Sequence, residues 1–381
     1  MTAFENKSPK VAIVTDWMTS HGGETRVLFA LHELFPEAPI YTTVYNPENV
    51  PQFKNAKVIT SFIHDLPFAK KKHQWFLGLM PLAFESFDLS EYDIVISSSH
   101  ACSKGIITKV DTLHICYCHT PMRYAWDDCH RYINENAPFK NLGGKWFASR
   151  LMHKIRMWDR LAADRVDSFI ANSKYIRKRI QKYYQRDSKV IYPPIQTSNF
   201  QIAEKKEDFY LAGGRIVENK RYDLIVEAFN DLGYPLKIFG KGPYLDTLKA
   251  MAKPNIEFLG FTSDEENALL YAQAKAYIVP QLEDFGITTV EAMSAGTPVI
   301  GLRDGGTEEI VIDGITGVLM DEQSSLCLIQ MVKKIESMKF DPNVIRQNAL
   351  KFDVARFKRE IKNFVMSEFE DWKGRMNVSN T

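Results

Sequence analysis

A chain of 381 residues with 45% apolar and 25% charged side chains has the composition of a soluble globular protein and is long enough for two domains. It contains no run of about 18 apolar residues, which excludes a membrane-spanning helix. Its five scattered cysteines lack the spacing of a disulfide framework and suit a reducing compartment. The net charge of +1 hides an asymmetry, because residues 1–200 hold 26 Lys+Arg against 19 Asp+Glu while residues 201–381 hold 22 against 28. The basic half, which also holds all nine histidines, is the one expected to meet an anionic surface.

The opening MTAFENKSPK has no apolar core, so no signal peptide is expected. Residues 11–14 then read as a buried strand that ends at Asp16 and a loop through His21, Gly22 and Gly23, with a helix over 24–35. A strand, a Gly-rich loop and a helix in this order let backbone approach a phosphate closely. The turn alone calls for glycine, however, and the full G-x-G-x-x-G pattern is absent. Further strands are expected at 40–43, 57–60, 94–97, 112–117 and 168–171. Strands alternating with helices imply a parallel sheet covered on both faces. Two segments, 68–82 and 145–162, mix basic and large apolar residues at rough helical spacing. They fit either core-packed helices with a solvated basic face or peripheral contact with an anionic membrane.

The stretch HICYCHTPMRYAWDD, residues 114–128, concentrates chemistry. A buried strand ends near Cys118, so the imidazole of His119 falls at the C-terminal edge of the sheet. Arg123, Tyr124, Trp126 and Asp127 crowd the loop after Pro121. A histidine there can hydrogen-bond hydroxyls or a developing charge. His114, Cys116, Cys118, His119, Cys129 and His130 are also metal-ligand types, but C-x-C within a strand is not a zinc knuckle and no second knuckle follows. No metal is therefore expected, and Cys116 and Cys118 read as small core side chains.

Two prolines followed by polar residues mark a linker over 194–208. Beyond it, FYLAGG reads as a strand leading into Arg215, with Lys220 five residues on, before a helix over 222–229. Two cations beside a strand-end glycine pair suit a diphosphate, Arg as a fork and Lys as a point charge. The pattern repeats with strands at 236–239 and 256–261 and helices at 244–251 and 264–274. A strand over 276–279 then stops at Pro280, and a loop carries Glu283, Asp284, Phe285 and Gly286. Residues 287–295 read as a helix ended by Gly296, with a strand over 298–302 and a Gly-rich turn at 304–306. The N-terminus of that helix offers N–H groups and a positive dipole end to an anion, with Glu283 and Glu291 on either side. A short strand at 316–321 and helices at 323–338, 342–351 and 354–372 complete the chain, with 373–381 as a frayed tail.

These motifs resemble those of retaining glycosyltransferases of family 4. The second half is similar through GGRIVENK, IFGKGP, the E-x₇-E pair within EDFGITTVEAMSAGTPVIG, and GGTEE. The first half is similar through the His-Gly-Gly loop and YCHTPMRYAWD. The resemblance implies an α/β GT-B fold with two Rossmann-like domains across a cleft: 1–200 for the acceptor, 201–353 for the nucleotide sugar, and a crossing helix with tail over 354–381. It also implies that Arg215 and Lys220 hold the donor diphosphate, Glu291 the ribose and Glu283 the sugar hydroxyls. Phe285, Gly286 and Ile287 would present backbone N–H groups, Gly22 and Gly23 would close over the diphosphate, and His119 would contact the transferred sugar. Asp16, Arg123, Tyr124 and Trp126 are the weaker candidates for acceptor contact.

The implied donor is a nucleotide-diphosphate sugar, used without metal or other cofactor. HTPMRYAWD resembles the form found in bacterial mannosyltransferases of O-antigen and exopolysaccharide assembly, which favours GDP-mannose over a UDP-sugar. A glycan or lipid-linked acceptor, a cytoplasmic enzyme touching the inner leaflet and no nucleic-acid partner complete the expectation. Its rivals are a hydrolysing sugar-nucleotide epimerase of the same fold and a non-catalytic sugar-binding protein.

Overall fold

The structure is a computed structural model that describes residues 9–20, 22–135 and 142–378. The chain divides into two compact units, one made of residues 1–172, 176–192 and 358–381 and the other of 173–175 and 193–357. No helix among the described residues is long and apolar enough to cross a membrane.

Unit 1 is built on seven strands: β1 Val11–Thr15, β2 Ile40–Thr42, β3 Val58–Thr60, β4 Ile94–Ser99, β5 Leu113–Cys118, β6 Ser168–Ala171 and β7 Lys189–Val190. They pair in parallel in the order β3-β2-β1-β4-β5-β6-β7, with Ile13 registered against both Ile40 and Ile96. The central strands β4 and β5 are buried along their whole length, as a parallel sheet covered by helices requires. Short β7 has only two residues and carried no apolar signal.

Beneath this sheet lies an ion pair withdrawn from water. Lys104 and Asp159 are both buried and in direct contact. Asp159 also accepts from Trp126 Nε1 and from the Tyr184 hydroxyl, each at 2.8 Å, while Lys104 Nζ donates to the Ala101 carbonyl at 3.0 Å. Burial alone would lower the Lys104 pKa, but Asp159 outweighs it and the net shift is upward.

Helix Val354–Val378 supplies buried Ile361, Val365 and Phe369, a three-to-four-residue spacing that puts one apolar stripe inward. From residue 358 this helix belongs to unit 1, where Lys358 pairs with Glu33 at 3.0 Å and Glu368 accepts from Ser168. The expected frayed tail from 373 is corrected, since the helix runs to Val378. Residues 379–381 lie outside the described chain.

Unit 2 holds β8 Tyr210–Gly213, β9 Leu236–Phe239, β10 Ile256–Gly260, β11 Tyr277–Val279, β12 Val299–Leu302 and β13 Gly317–Met320. These too are parallel, in the order β10-β9-β8-β11-β12-β13. The expected turn at 304–306 instead opens a short helix, Gly305–Ile310, because the Asp304 carboxylate accepts the Gly305 N–H at 2.7 Å and caps it.

Candidate functional site

In unit 2 the strand order reverses between β8 and β11, and open α/β sheets bind ligands beyond the strand ends at such a point. Past β8, Arg215 is exposed and has no ion-pair partner among the described residues. A short turn, Glu218–Lys220, precedes helix Tyr222–Leu232 and swings Lys220 back toward the loop after β11. Lys220 Nζ lies 2.5 Å from Glu283 Oε1, which also accepts from Gln281 Nε2 at 2.6 Å. Sequence reading missed buried Gln281. Its only signal was its place directly after the strand-ending Pro280.

The loop carrying Glu283 ends at Gly286, whose φ of +107° falls in the left-handed region that favours glycine. Gly286 is the N-cap of helix Ile287–Ser294. Phe285 is buried and edge-on to Phe352 with ring centroids 5.6 Å apart. At Gly306 a Cβ would stand 2.1 Å from the Phe285 carbonyl oxygen, so only glycine allows these two loops to approach. Glu291 sits one turn into the helix, buried, and accepts from the Tyr271 hydroxyl at 3.3 Å. Tyr277 donates to the Gly213 carbonyl at 2.9 Å, and burial pushes its phenol pKa up. Unit 2 thus joins two cations, two carboxylates and a helix N-terminus around the ends of β8 and β11, a set that can hold a diphosphate and a polyol.

In unit 1 the reversal falls between β1 and β4. Asp16 follows β1 directly. It is fully buried, and its carboxylate accepts the N–H groups of His100 and Ala101 at 2.7 and 2.9 Å and of Cys102 and Ser103 at 2.6 and 2.7 Å. Asp16 is the cap that holds the turn after β4. The N–H of half-buried Trp126 is taken by Asp159 and its ring stacks on Tyr183 at 4.8 Å. The Tyr124 hydroxyl is buried, and burial raises its pKa. Arg123 is half-buried in the same loop.

His119 lies half-buried at the end of β5, as expected. Its N–H donates to the Ser99 carbonyl at 2.8 Å, and its Nε2 shares a 2.8 Å hydrogen bond with Ser98 Oγ. Loss of solvation lowers its pKa to about 3, with His100 adding and Asp16 opposing, so the ring is neutral at pH 7. His100, which sequence reading missed, stands at the end of β4 with its ring 6.3 Å from His119 and 4.6 Å from Trp17. The rule that selects His119, a histidine directly after a buried strand, would have found it. Gly22 is the N-cap of helix Gly23–Leu34, its N–H donating to Thr25 Oγ1 at 3.2 Å. His21 lies outside the described residues. Cys116 and Cys118 are buried in β5, and among the described residues no three His, Cys, Asp or Glu side chains converge to hold a metal.

Burial also lowers His73 to about 4 and His114 to about 3, from an ordinary 6.5. The unfolded chain takes up these protons near pH 6.5 while the folded chain resists until pH 3–4. The stability they contribute is therefore complete above pH 6.5 and is lost as pH falls toward 3. Urea midpoints measured from pH 7 to 4 are expected to fall steadily. His114→Gln, which can keep a hydrogen bond to Ser97 but cannot titrate, is expected to flatten that slope.

A parallel seven-stranded and a parallel six-stranded sheet define the GT-B class. The Anabaena protein HepE, solved with UDP and glucose, has the same fold at a TM-score of 0.67 and 16% identity, over 94% of this chain and 100% of its own. Residues 21–199 match the family described as Glycosyltransferase Family 4, and residues 195–352 match Glycosyl transferases group 1. The chain belongs to this glycosyltransferase family. An uncharacterized glycosyltransferase of Methanocaldococcus jannaschii is 32% identical over 178 residues, 45% of this chain and 50% of that protein. A GDP-mannose-dependent phosphatidylinositol monomannoside mannosyltransferase of Mycolicibacterium smegmatis is 33% identical over 125 residues, 28% of this chain and 33% of that protein. The chain thus spans half or less of the length of these two curated relatives.

Proposed function

We propose that the chain transfers a sugar, first choice mannose from GDP-mannose, to a glycan or lipid-linked oligosaccharide in surface polysaccharide synthesis, with retention of anomeric configuration. The observation that carries this reading is the Lys220–Glu283 pair at the ends of β8 and β11, beside exposed Arg215 and the helix N-terminus at Gly286. Without donor, each member of the pair satisfies the other. A bound donor would exchange both: the diphosphate takes Lys220, and the sugar hydroxyls donate to Glu283.

As the bond from the anomeric carbon to the diphosphate oxygen breaks, negative charge grows on that oxygen. Arg215, Lys220 and the N–H groups at Phe285, Gly286 and Ile287 would stabilise it. The acceptor hydroxyl attacks from the same face and gives its proton to the leaving phosphate, so no protein nucleophile is used. Buried Glu291 suits the ribose hydroxyls, and neutral His119 suits a hydrogen bond to the transferred sugar.

The mannosyl preference draws on the mycobacterial relative, and the HepE complex favours a UDP-sugar as the second reading. A thermal-shift panel of GDP-mannose, UDP-glucose, dTDP-glucose and ADP-glucose separates them. At about a hundred times Kd a ligand adds about 2.7 kcal/mol, a shift of several degrees. Selective stabilisation by GDP-mannose is expected. No stabilisation by any of the four sinks the transferase reading, and free sugar released without acceptor favours the epimerase.

A further inference from the structure

Unit 1 carries a surface that neither donor nor acceptor chemistry uses. In the segment 68–82, Phe68, Trp75, Leu79 and Leu82 are exposed, Phe68 and Trp75 by 70% and 68%. Exposed Lys70, Lys71 and Lys72 lie among them, and Lys72 Nζ stands 5.8 Å over the Trp75 ring. Helix Leu142–Asp164 buries Ala148, Met152, Ile155 and Asp159. Its outward face carries Trp146, Phe147, Arg150, Lys154, Met157 and Leu161, a spacing that confines them to about 100° of the helix circumference. Arg150 stacks over Trp146 at 5.8 Å.

The two elements adjoin. A Cβ at Gly78 would stand 3.4 Å from Leu151 Cδ1, and Leu77 and Met80 share one core cluster with Ala148 and Met152. Segment 68–82 holds no carboxylate, and on the exposed surface of the helix the described carboxylate is its last residue, Asp164, which is paired with Arg160 at 2.5 Å, although the whole chain nearly balances its charges. Phe68 is moreover held outward by a backbone φ of +65°, uncommon for any residue but glycine.

We infer that this face docks on an anionic phospholipid surface, with Phe68, Trp75, Trp146 and Phe147 entering the headgroup boundary and Lys70–Lys72, Arg150 and Lys154 meeting lipid phosphates. Charge complementarity selects this occupant. An apolar face meant for a protein core would not be studded with unpaired cations, whereas an interfacial helix combines exactly one apolar payload with basic side chains that reach the phosphates. The inference does not depend on the identity of the donor.

The test is co-sedimentation of the full chain with phosphatidylcholine vesicles with and without 30 mol% phosphatidylglycerol, followed by tryptophan fluorescence. Binding only to the anionic vesicles, with a blue shift, is expected. Each lysine near such a surface is worth about 1 kcal/mol, so reversing Lys70, Lys71 and Lys72 to Glu should weaken partitioning at least about tenfold. Trp75→Ala with Trp146→Ala should abolish the blue shift. Circular dichroism and the thermal-shift response to nucleotide sugar report whether the variants fold. Equal binding to neutral vesicles, undiminished binding by the folded variants, or no vesicle binding together with self-association lost in the same variants would each overturn the proposal.

Discussion

Lys220→Met is expected to lower turnover of the donor by about two to three orders of magnitude while the protein stays folded. Loss of one preorganised donor to a developing oxyanion typically costs about 10²–10³ in rate. Lys220 holds a partner carboxylate in the free protein, so its position is set before any ligand arrives. The effect should fall mainly on kcat if the cation meets charge that grows in the transition state, and on KM if it only holds the ground-state diphosphate. Glu283→Gln should behave differently. It keeps an acceptor for a sugar hydroxyl but frees Lys220 from a competing charge, so donor affinity should change less than turnover. Unchanged steady-state turnover in Lys220→Met would remove this residue from the mechanism and would weaken the assignment of the whole β8–β11 edge.

Asp159→Ala is the variant expected to damage the fold most. It would leave the Lys104 ammonium buried without its counter-charge and deprive Trp126 and Tyr184 of their acceptor. Breaking a buried pair on one side costs about 3–5 kcal/mol, a large part of the ~5–15 kcal/mol that holds an ordinary protein folded. Hydrogen exchange read by mass spectrometry should localise the loss to unit 1 peptides. Replacing both members, Lys104→Met with Asp159→Leu, should recover much of the loss, because no isolated charge is then left in the core. A cost below about 1 kcal/mol for the single variant would contradict the described network.

The order of the strands was legible apart from β7, because most of the parallel strands are short apolar runs and several are punctuated by glycine or proline. The loop from Pro280 to Gly286 was legible for the same reason. What the sequence could not display was pairing at a distance. Lys220 and Glu283 are 63 positions apart, and nothing in either motif says that they touch. Asp16 looked available because it ends a strand at the sheet edge. The four amides that occupy it come from residues 100–103, which neighbour it only once β4 has docked beside β1. The partner of the Trp126 N–H was hidden in the same way, since the Asp159 that accepts it lies on a separate helix. His100 was missed through inconsistency rather than lack of signal. Helix ends drifted by one to three residues, as fraying and capping allow, and the C-terminal helix proved longer because its apolar stripe continues to Phe369 and its polar end stays helical to Val378.

The composition of unit 1 from three separated pieces of chain has a consequence for how the protein is made. A ribosome delivers residues 1–192 first, then the whole of 193–357, and only then the helical residues from 358 that complete unit 1. Unit 2 has all its sequence in hand once 357 has emerged, whereas unit 1 must wait with the apolar seat of Ile361, Val365 and Phe369 uncovered. Domains usually finish in the order in which they are synthesised. Here the first to emerge is the last to close, so the interval between residue 192 and residue 358 is when the nascent chain most needs a chaperone.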